Sequence, residues 1–597
     1  MAEHIELDTQ ALRDKYRTER DKRLHNLGNG QYQEVAGKFE HFLDDPYVES
    51  SQRDPVDDFV EVLIIGGGFG GLLAGARLRE AGMTDLRIVE KGGDFGGTWY
   101  WNRYPGAQCD IEAYIYLPLL EELDYIPKEK YSFAPEILAH SRAIGAHYDL
   151  YENALFQTEI TGMKWDEDEK VWRLDTNRGD KLRARFVCMS NGPLNRPKLP
   201  GVPGIENFKG HTFHTSRWDY DYTGGDTTGR LNKLGNKRVG IIGTGATAVQ
   251  CVPHVAASAQ ELIVFQRTPS SIDRRGNKPT DPQWAESLNP GWQQHRMTNF
   301  NVLVTGGDAD EDLVNDGWTD IIRNLSAITA NRMNEGELSP EEMAQRVELA
   351  DFQKMNQIRD RVDEIVEDEA TAKALKPWYR QFCKRPCFHD DYLDAYNRPN
   401  VHLVDTQGRG VQQITERGIV VDGTEYELDC IIFATGFEVG TDYTRRAGYE
   451  ITGKDGQGLT EKWRDGFRTL HGFQTNGFPN CFFMGVTQGG FTANFPHMLN
   501  EQSLHIAYMI EHAKNNNYHC LEASLEAEDQ WVDTIEALSV MNQDFLEQCT
   551  PGYYNNEGRP GAGNSLLGSQ YGAGPEAFFK LVRDWRDEGT LKGLNFS

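Results

Sequence analysis

One pattern occurs twice in this chain, and it leaves few folds open. An apolar run at 60–65 leads into Gly66-Gly67-Gly68-Phe69-Gly70-Gly71, followed by the helix-like LLAGARLREAG and a second run, LRIVE, that ends at Glu90. Much later, the run 238–242 leads into Gly243-Thr244-Gly245-Ala246-Thr247-Ala248, then AVQCVPHVA and the run 261–265. A short, continuously apolar run reads as a parallel strand buried on both faces. Glycines after it let the backbone turn tightly and approach a pyrophosphate, and the helix N-terminus that follows faces the negative charge. Two such units predict an α/β chain with two Rossmann-like dinucleotide-binding domains. The strand ends differ in a useful way. Glu90 suits the hydroxyls of an unphosphorylated ribose, as in FAD or NAD. Gln266-Arg267-Thr268 replaces the acid with a guanidinium, which pairs with a 2′-phosphate and points to NADP.

Around these units the chain divides as follows. Residues 1–57 are charged and poor in core residues, and are expected to form a packing arm. Residues 58–207 read as the first part of the first dinucleotide domain, for FAD or NAD, leaving through a crossing marked by Pro193, Pro197, Pro200 and Pro203. Residues 208–219 form a linker. Residues 220–404 read as the NADP domain, with a polar helical insertion at 271–380 that opens a helix at Ser339-Pro340-Glu341-Glu342, a capping box. Residues 405–597 read as the second part of that first domain, with a glycine- and tyrosine-rich loop and a last helix from Pro575 to Gly589.

Composition narrows the function classes. The 597 residues carry 62 Lys and Arg against 91 Asp and Glu, a net charge of −29. That opposes non-specific binding to nucleic acid or to anionic membranes. No signal peptide or spanning segment is read, so a cytoplasmic protein is expected. Nine cysteines without regular spacing suggest reduced thiols, and Cys383 and Cys387, in CKRPC, are expected to be ordinary ones. No metal site is read.

Three further stretches carry chemistry. Gly97, Thr98, Trp99, Tyr104, Pro105, Gly106 and Asp110 lie in a loop of large aromatics that is either a structural cluster or a wall against a flat ring. Lys384-Arg385 reads, by itself, as solvated surface. The linker holds Phe208, Gly210, His214, Trp218 and Asp219, the pattern F-x-G-x-x-x-H-x-x-x-W-D.

That linker resembles the fingerprint of Baeyer–Villiger monooxygenases. The loop also matches the family's G-x-W-x-x-x-x-Y-P-G-x-x-x-D, and Lys384-Arg385 matches its Lys-Arg pair. The resemblance covers nearly all of residues 58–510. It implies an FAD enzyme that uses NADPH and O2 to insert oxygen beside a ketone carbonyl, giving an ester or lactone through a peroxyflavin and a tetrahedral intermediate. It overturns the surface reading of Lys384-Arg385 and turns the aromatic loop toward the flavin. Arg385 is expected over the flavin, oriented by Asp110, and Lys384 beside the 2′-phosphate. FAD contacts are expected from Gly66, Gly68, Phe69, Gly71, Glu90, Gly97, Thr98, Trp99, Asp110 and Tyr116. NADPH contacts are expected from Gly243, Thr244, Gly245, Ala246, Thr247, Gln250, Arg267, Thr268 and Lys384. Phe208, Gly210, His214 and Trp218 are expected to couple domain motion to turnover. The extended N-terminus and the GYYNNEG tail resemble the branch acting on bulky cyclic ketones. The alternative is a flavin monooxygenase oxidising nitrogen or sulfur, against which Trp218-Asp219 and Lys384-Arg385 both count. The oligomeric state and the particular ketone are not read.

Overall fold

The computed structural model describes residues 8–307, 309–320, 339–485, 488–539, 543–560 and 570–597. Both glycine turns leave the end of a central parallel strand. In the first sheet, Asp57–Ile65 lies between Leu86–Val89 and Lys181–Met189, parallel to both. Cys481–Phe483 joins Lys181–Met189 in parallel, and Val171–Thr176 and Ile160–Asp166 extend the sheet antiparallel. Val62, Leu63 and Ile64 are fully buried, as a strand covered on both faces must be. One cover is made by the helices Phe69–Glu80 and Phe495–Asn515, whose Leu72, Leu73, Ile506 and Ile510 share a core with Val62 and Ile64.

The second sheet is wholly parallel, in the order Val401–Asp405, Glu261–Gln266, Arg238–Ile242, Cys430–Phe433, His211–His214. Within the linker, His211–His214 forms the sheet's edge strand. One expectation is corrected here. The return to the first domain does not come at 405, because Cys430–Phe433 is the strand that joins the linker to Arg238–Ile242. Its apolar run announced burial, and burial alone does not say which sheet supplies the neighbours.

The duplication shows in the turns. Gly66 (φ 108°) and Gly243 (φ 112°) occupy the left-handed region. A Cβ at Gly66 would collide with the Ser190 carbonyl oxygen, and one at Gly243 with that of Ala434. Each oxygen lies just past the end of the neighbouring parallel strand, so both turns demand glycine for one reason.

The insertion is helical, with Pro282–Glu286, Trp292–Val304, Pro340–Ile365 and Glu369–Leu375. The Ser339/Glu342 capping box forms. Phe352, Met355, Ile358 and Val362 are buried along the long helix, while Val347 near its start is exposed. The Met343 side chain lies outside the described residues. The N-terminal arm packs on this domain: Tyr16 meets Phe352 edge-on, and Phe39 and Phe42 enter the core beside Phe265 and Phe433. Among the described residues no helix is long and apolar enough to cross a membrane.

Candidate active site

The two glycine turns open toward each other's domains, and a cavity of about 600 Å³ lies between them. Of the residues expected at cofactors, Gly66, Gly68, Phe69, Glu90, Gly97, Thr98, Trp99, Asp110, Tyr116, Ala246, Thr247 and Gln250 line it, together with Arg385. Gly71, Gly243, Thr244, Gly245, Arg267, Thr268 and Lys384 do not. The helices Phe69–Glu80 and Ala246–Ala256 start at Gly68 and Gly245 with no side-chain cap on their first N–H groups. Uncapped donors at the start of a helix, beside bare glycine backbone, fit a dinucleotide phosphate.

Glu90 sits where the strand reading put it, yet its carboxylate accepts the N–H groups of Gly67 and Gly92, each at 2.6 Å. Burial raises its pKa against those two bonds. The aromatic loop folds as a short helix, Thr98–Trp101. Trp99 donates from Nε1 to the Tyr116 hydroxyl at 3.0 Å, so the two rings stand edge to face in the cavity wall. Gln250 reaches from the second domain to the first. It accepts from the Tyr104 hydroxyl at 2.8 Å and donates to the Gln108 carbonyl at 2.8 Å.

Arg385 enters this cavity with its side chain 37 % exposed. Its Nη2 lies 3.5 Å from Asp110 Oδ2, and its Nε has no hydrogen-bond partner among the described residues. Desolvation is the largest effect on its pKa and lowers it, yet the Asp110 carboxylate holds it above the ordinary arginine value. The expected Asp110–Arg385 bond is present but long, and Asp110 Oδ1 is taken by a second arginine, Arg275, which also donates to Gln108 Oε1. Asp110 and Arg275 side chains are 3 % and 4 % exposed, so the buried pair is theirs. Arg275 lies in the dipeptide Arg274-Arg275, and no local signal separates it from surface arginines. Trp318, from the insertion, adds an Nε1 donor to the Asp110 carbonyl at 2.9 Å.

The linker residues lie behind the cavity. His214 is fully buried; its Nδ1 accepts the Ser216 N–H at 3.2 Å and its Nε2 faces the Gly436 carbonyl at 3.1 Å. Only the neutral ring satisfies both, and burial, with Arg217 nearby, pushes its pKa down to about 3. The two crossings between the domains are thus stitched together. Trp218 is buried and donates to the Thr223 hydroxyl at 3.1 Å, while Asp219 caps the next helical turn. Phe208 packs half-buried on the second core, and a Cβ at Gly210 would meet its ring.

A family model for an NAD(P)-binding Rossmann-like domain matches residues 64–123. The neopentalenolactone D synthase of Streptomyces avermitilis is 55 % identical, covering 98 % of this chain and 99 % of its own. The Baeyer-Villiger monooxygenase ATR8 of Stachybotrys chlorohalonatus is 49 % identical over 100 % of this chain and 95 % of its own. The chain belongs to the Baeyer–Villiger monooxygenases. The solved polycyclic ketone monooxygenase of Thermothelomyces thermophila superposes on this monooxygenase with a TM-score of 0.90, at 39 % identity, covering 98 % of this chain and 99 % of the other.

Two features of the monooxygenase departed from the sequence reading. Cys383, expected to be a free thiol, is joined to Cys549 by a disulfide across 166 residues of sequence; Cys387 stays free. The C-terminal segment 549–560 therefore begins tied to the residue just before Lys384-Arg385. Tyr553 and Tyr554 line the cavity, forming an apolar cluster with Leu194, Phe437, Val439, Phe491 and Phe495. The GYYNNEG tail read as a long loop, but only the tertiary fold brings it to Arg385.

Proposed function

We propose that this protein is an FAD- and NADPH-dependent monooxygenase that inserts one atom of O2 beside the carbonyl of a bulky or cyclic ketone. Ketone, O2, NADPH and a proton give an ester or lactone, NADP+ and water. The carrying observation is Arg385, a permanent cation in a cavity between two dinucleotide turns, facing an apolar wall.

Bound FAD, reduced by NADPH, supplies the oxygen-activating chemistry. The chain supplies position and charge. The first turn, with Glu90, Thr98, Trp99 and Tyr116, holds the flavin nucleotide. The second, with Thr244, Thr247 and Gln250, holds the nicotinamide nucleotide, and Arg267, Thr268 and Lys384 hold its 2′-phosphate. Arg385 stabilises negative charge as it develops on the ketone oxygen, without offering a proton at neutral pH. A positioned charge of this kind contributes about 10²–10³ in rate, about 3–4 kcal/mol. Asp110, held by Arg275, keeps the guanidinium in place. Phe437, Val439, Phe491 and Phe495 exclude water and receive the ketone's hydrocarbon. His214 holds the linker against the return crossing and Trp218 anchors the linker through Thr223, which couples the domains.

The test is Arg385→Ala with linear, small-ring, macrocyclic and steroid ketones, products identified by mass. NADPH should still bleach the flavin, while ester or lactone falls by about 10²–10³. Product at the parent rate would remove Arg385 from the chemistry. A parent enzyme that oxidises thioethers and no ketone would overturn the function itself.

A further inference from the structure

The residues assigned to the 2′-phosphate already have an anion among them. Arg267 donates from Nη1 to Gln31 Oε1 at 2.8 Å and to the Tyr32 hydroxyl at 3.1 Å, both from the N-terminal arm. Its Nη2 lies 3.3 Å from Glu557 Oε2. Lys198 Nζ lies 3.6 Å from Glu557 Oε1 and 3.8 Å from the centre of the Tyr32 ring. Lys384 stands against Gly552 of the same segment and interacts with both Glu557 and Arg267. Burial and its neighbour Arg267 bring Lys384 down to about 8.

Glu557 is an unusual side chain for a glycine-rich surface loop. It is 2 % exposed. Burial alone would push its pKa up, yet Lys198, Arg267 and Lys384 together bring it down to about 2. A carboxylate buried to this degree stays ionised only while cations neutralise it. Three of the five N–H groups of Arg267 are committed to Gln31, Tyr32 and Glu557. A phosphate arriving at that guanidinium meets the Glu557 carboxylate already paired with its Nη2 and competes with it for the same charge.

Resting on the reading that Arg267 and Lys384 hold the 2′-phosphate, we infer that Glu557 is a specificity-determining residue that competes with this phosphate for its cations. In the enzyme without nicotinamide nucleotide, Glu557 neutralises the Arg267–Lys198–Lys384 cluster and holds segment 549–560 in place. When NADPH binds, Glu557 yields Arg267 to the phosphate, and the segment loosens around it. The same segment carries Tyr553 and Tyr554 beside Arg385 and is fixed at its start by the Cys383–Cys549 disulfide. Occupation of the phosphate site is thereby felt at the cavity wall, five residues or fewer away in sequence.

The experiment uses the FAD-loaded enzyme and two probes, adenosine 2′,5′-bisphosphate and 5′-AMP, in titration calorimetry. Glu557→Gln keeps the shape and removes the charge. It should tighten the bisphosphate about tenfold, the effect of one screened charge at this range, and leave 5′-AMP unchanged. Its melting temperature without nucleotide should fall and be restored by the bisphosphate. Arg267→Ala separates the inference from the reading beneath it: it should erase the preference for the bisphosphate over 5′-AMP. If that preference survives Arg267→Ala, the phosphate-site reading falls and the inference with it. If Arg267→Ala erases it but Glu557→Gln binds the bisphosphate no more tightly, the inference alone is overturned. Hydrogen exchange on the unmodified enzyme decides the matter even if the variant does not fold. The amides of Glu557, Gly558 and Arg559, now bonded within the segment, should exchange faster with the bisphosphate than with 5′-AMP. Unchanged or slower exchange would overturn the inference.

Discussion

Asp110 lies between two arginines, and a double-mutant cycle on Asp110 and Arg275 tests how that arrangement holds Arg385. The two contacts differ in kind. At 3.5 Å and an effective dielectric of about 20, the Asp110–Arg385 attraction is about 5 kcal/mol before solvent is counted. Arg385 is 37 % exposed, and screening reduces that to about 1 kcal/mol, as for other exposed pairs. The Asp110–Arg275 pair is 3 % and 4 % exposed, and removing one partner from such a pair costs about 3–5 kcal/mol because a bare charge stays buried. Arg275→Met and Asp110→Asn should therefore each lower the stability in urea by about 3–5 kcal/mol. The double variant should recover much of that, because neither charge is left alone. Coupling should follow a different order. Product formed per NADPH oxidised should fall about fivefold in Asp110→Asn, from the lost 1 kcal/mol or so at Arg385, and less in Arg275→Met, where Asp110 is free to turn toward Arg385. Strictly additive losses in the cycle would refute the buried pair. Parent-like coupling in Asp110→Asn would refute Asp110 as the group that places Arg385.

Two other consequences are measurable. His214 is held near pKa 3 in the folded chain against about 6.5 when unfolded, so the unfolded chain takes up the proton first; its stabilisation is full above about pH 6.5 and is lost as pH falls toward 3. His214→Gln should shrink the drop in urea stability between pH 7 and pH 5 by about 2 kcal/mol, and an unchanged drop would mean the ring is not buried neutral. The Cys383–Cys549 bridge should appear as one cross-linked peptide in digests made without reductant, and Cys549→Ser should cost about 2–4 kcal/mol with faster hydrogen exchange through 549–560. Two separately alkylated thiols in the untreated enzyme would refute the bridge.

Much of the frame was legible in local sequence because its causes are local. A turn that brings Gly66 under the Ser190 carbonyl, or Gly243 under that of Ala434, tolerates only glycine, so the residue itself reports the geometry. Continuous apolar runs reported strands covered on both faces. The swap from Glu90 to Arg267 at equivalent strand ends reported a difference in charge that any fold of the two units preserves. Gln250, expected at the cofactors, reaches from its helix to the Tyr104 hydroxyl and the Gln108 carbonyl of the first domain.

What the tertiary structure decided concerns partners far apart in sequence. Asp110 finds Arg275 rather than Arg385 alone because three separate segments converge at one buried point, and the attraction of a charge depends on distance and burial, which no local pattern encodes. Cys430–Phe433 joins the second sheet, since an apolar strand specifies cover and not its neighbours. Cys383 bonds Cys549 rather than staying a thiol, and Glu557 meets Arg267, because the C-terminal segment folds back over the second nucleotide turn. The sequence determined which chemical groups the chain possesses and the turns that only glycine can make; only the closed fold decided which charge neutralises which, because neutralisation is a contact between distant residues and not a property of any one of them.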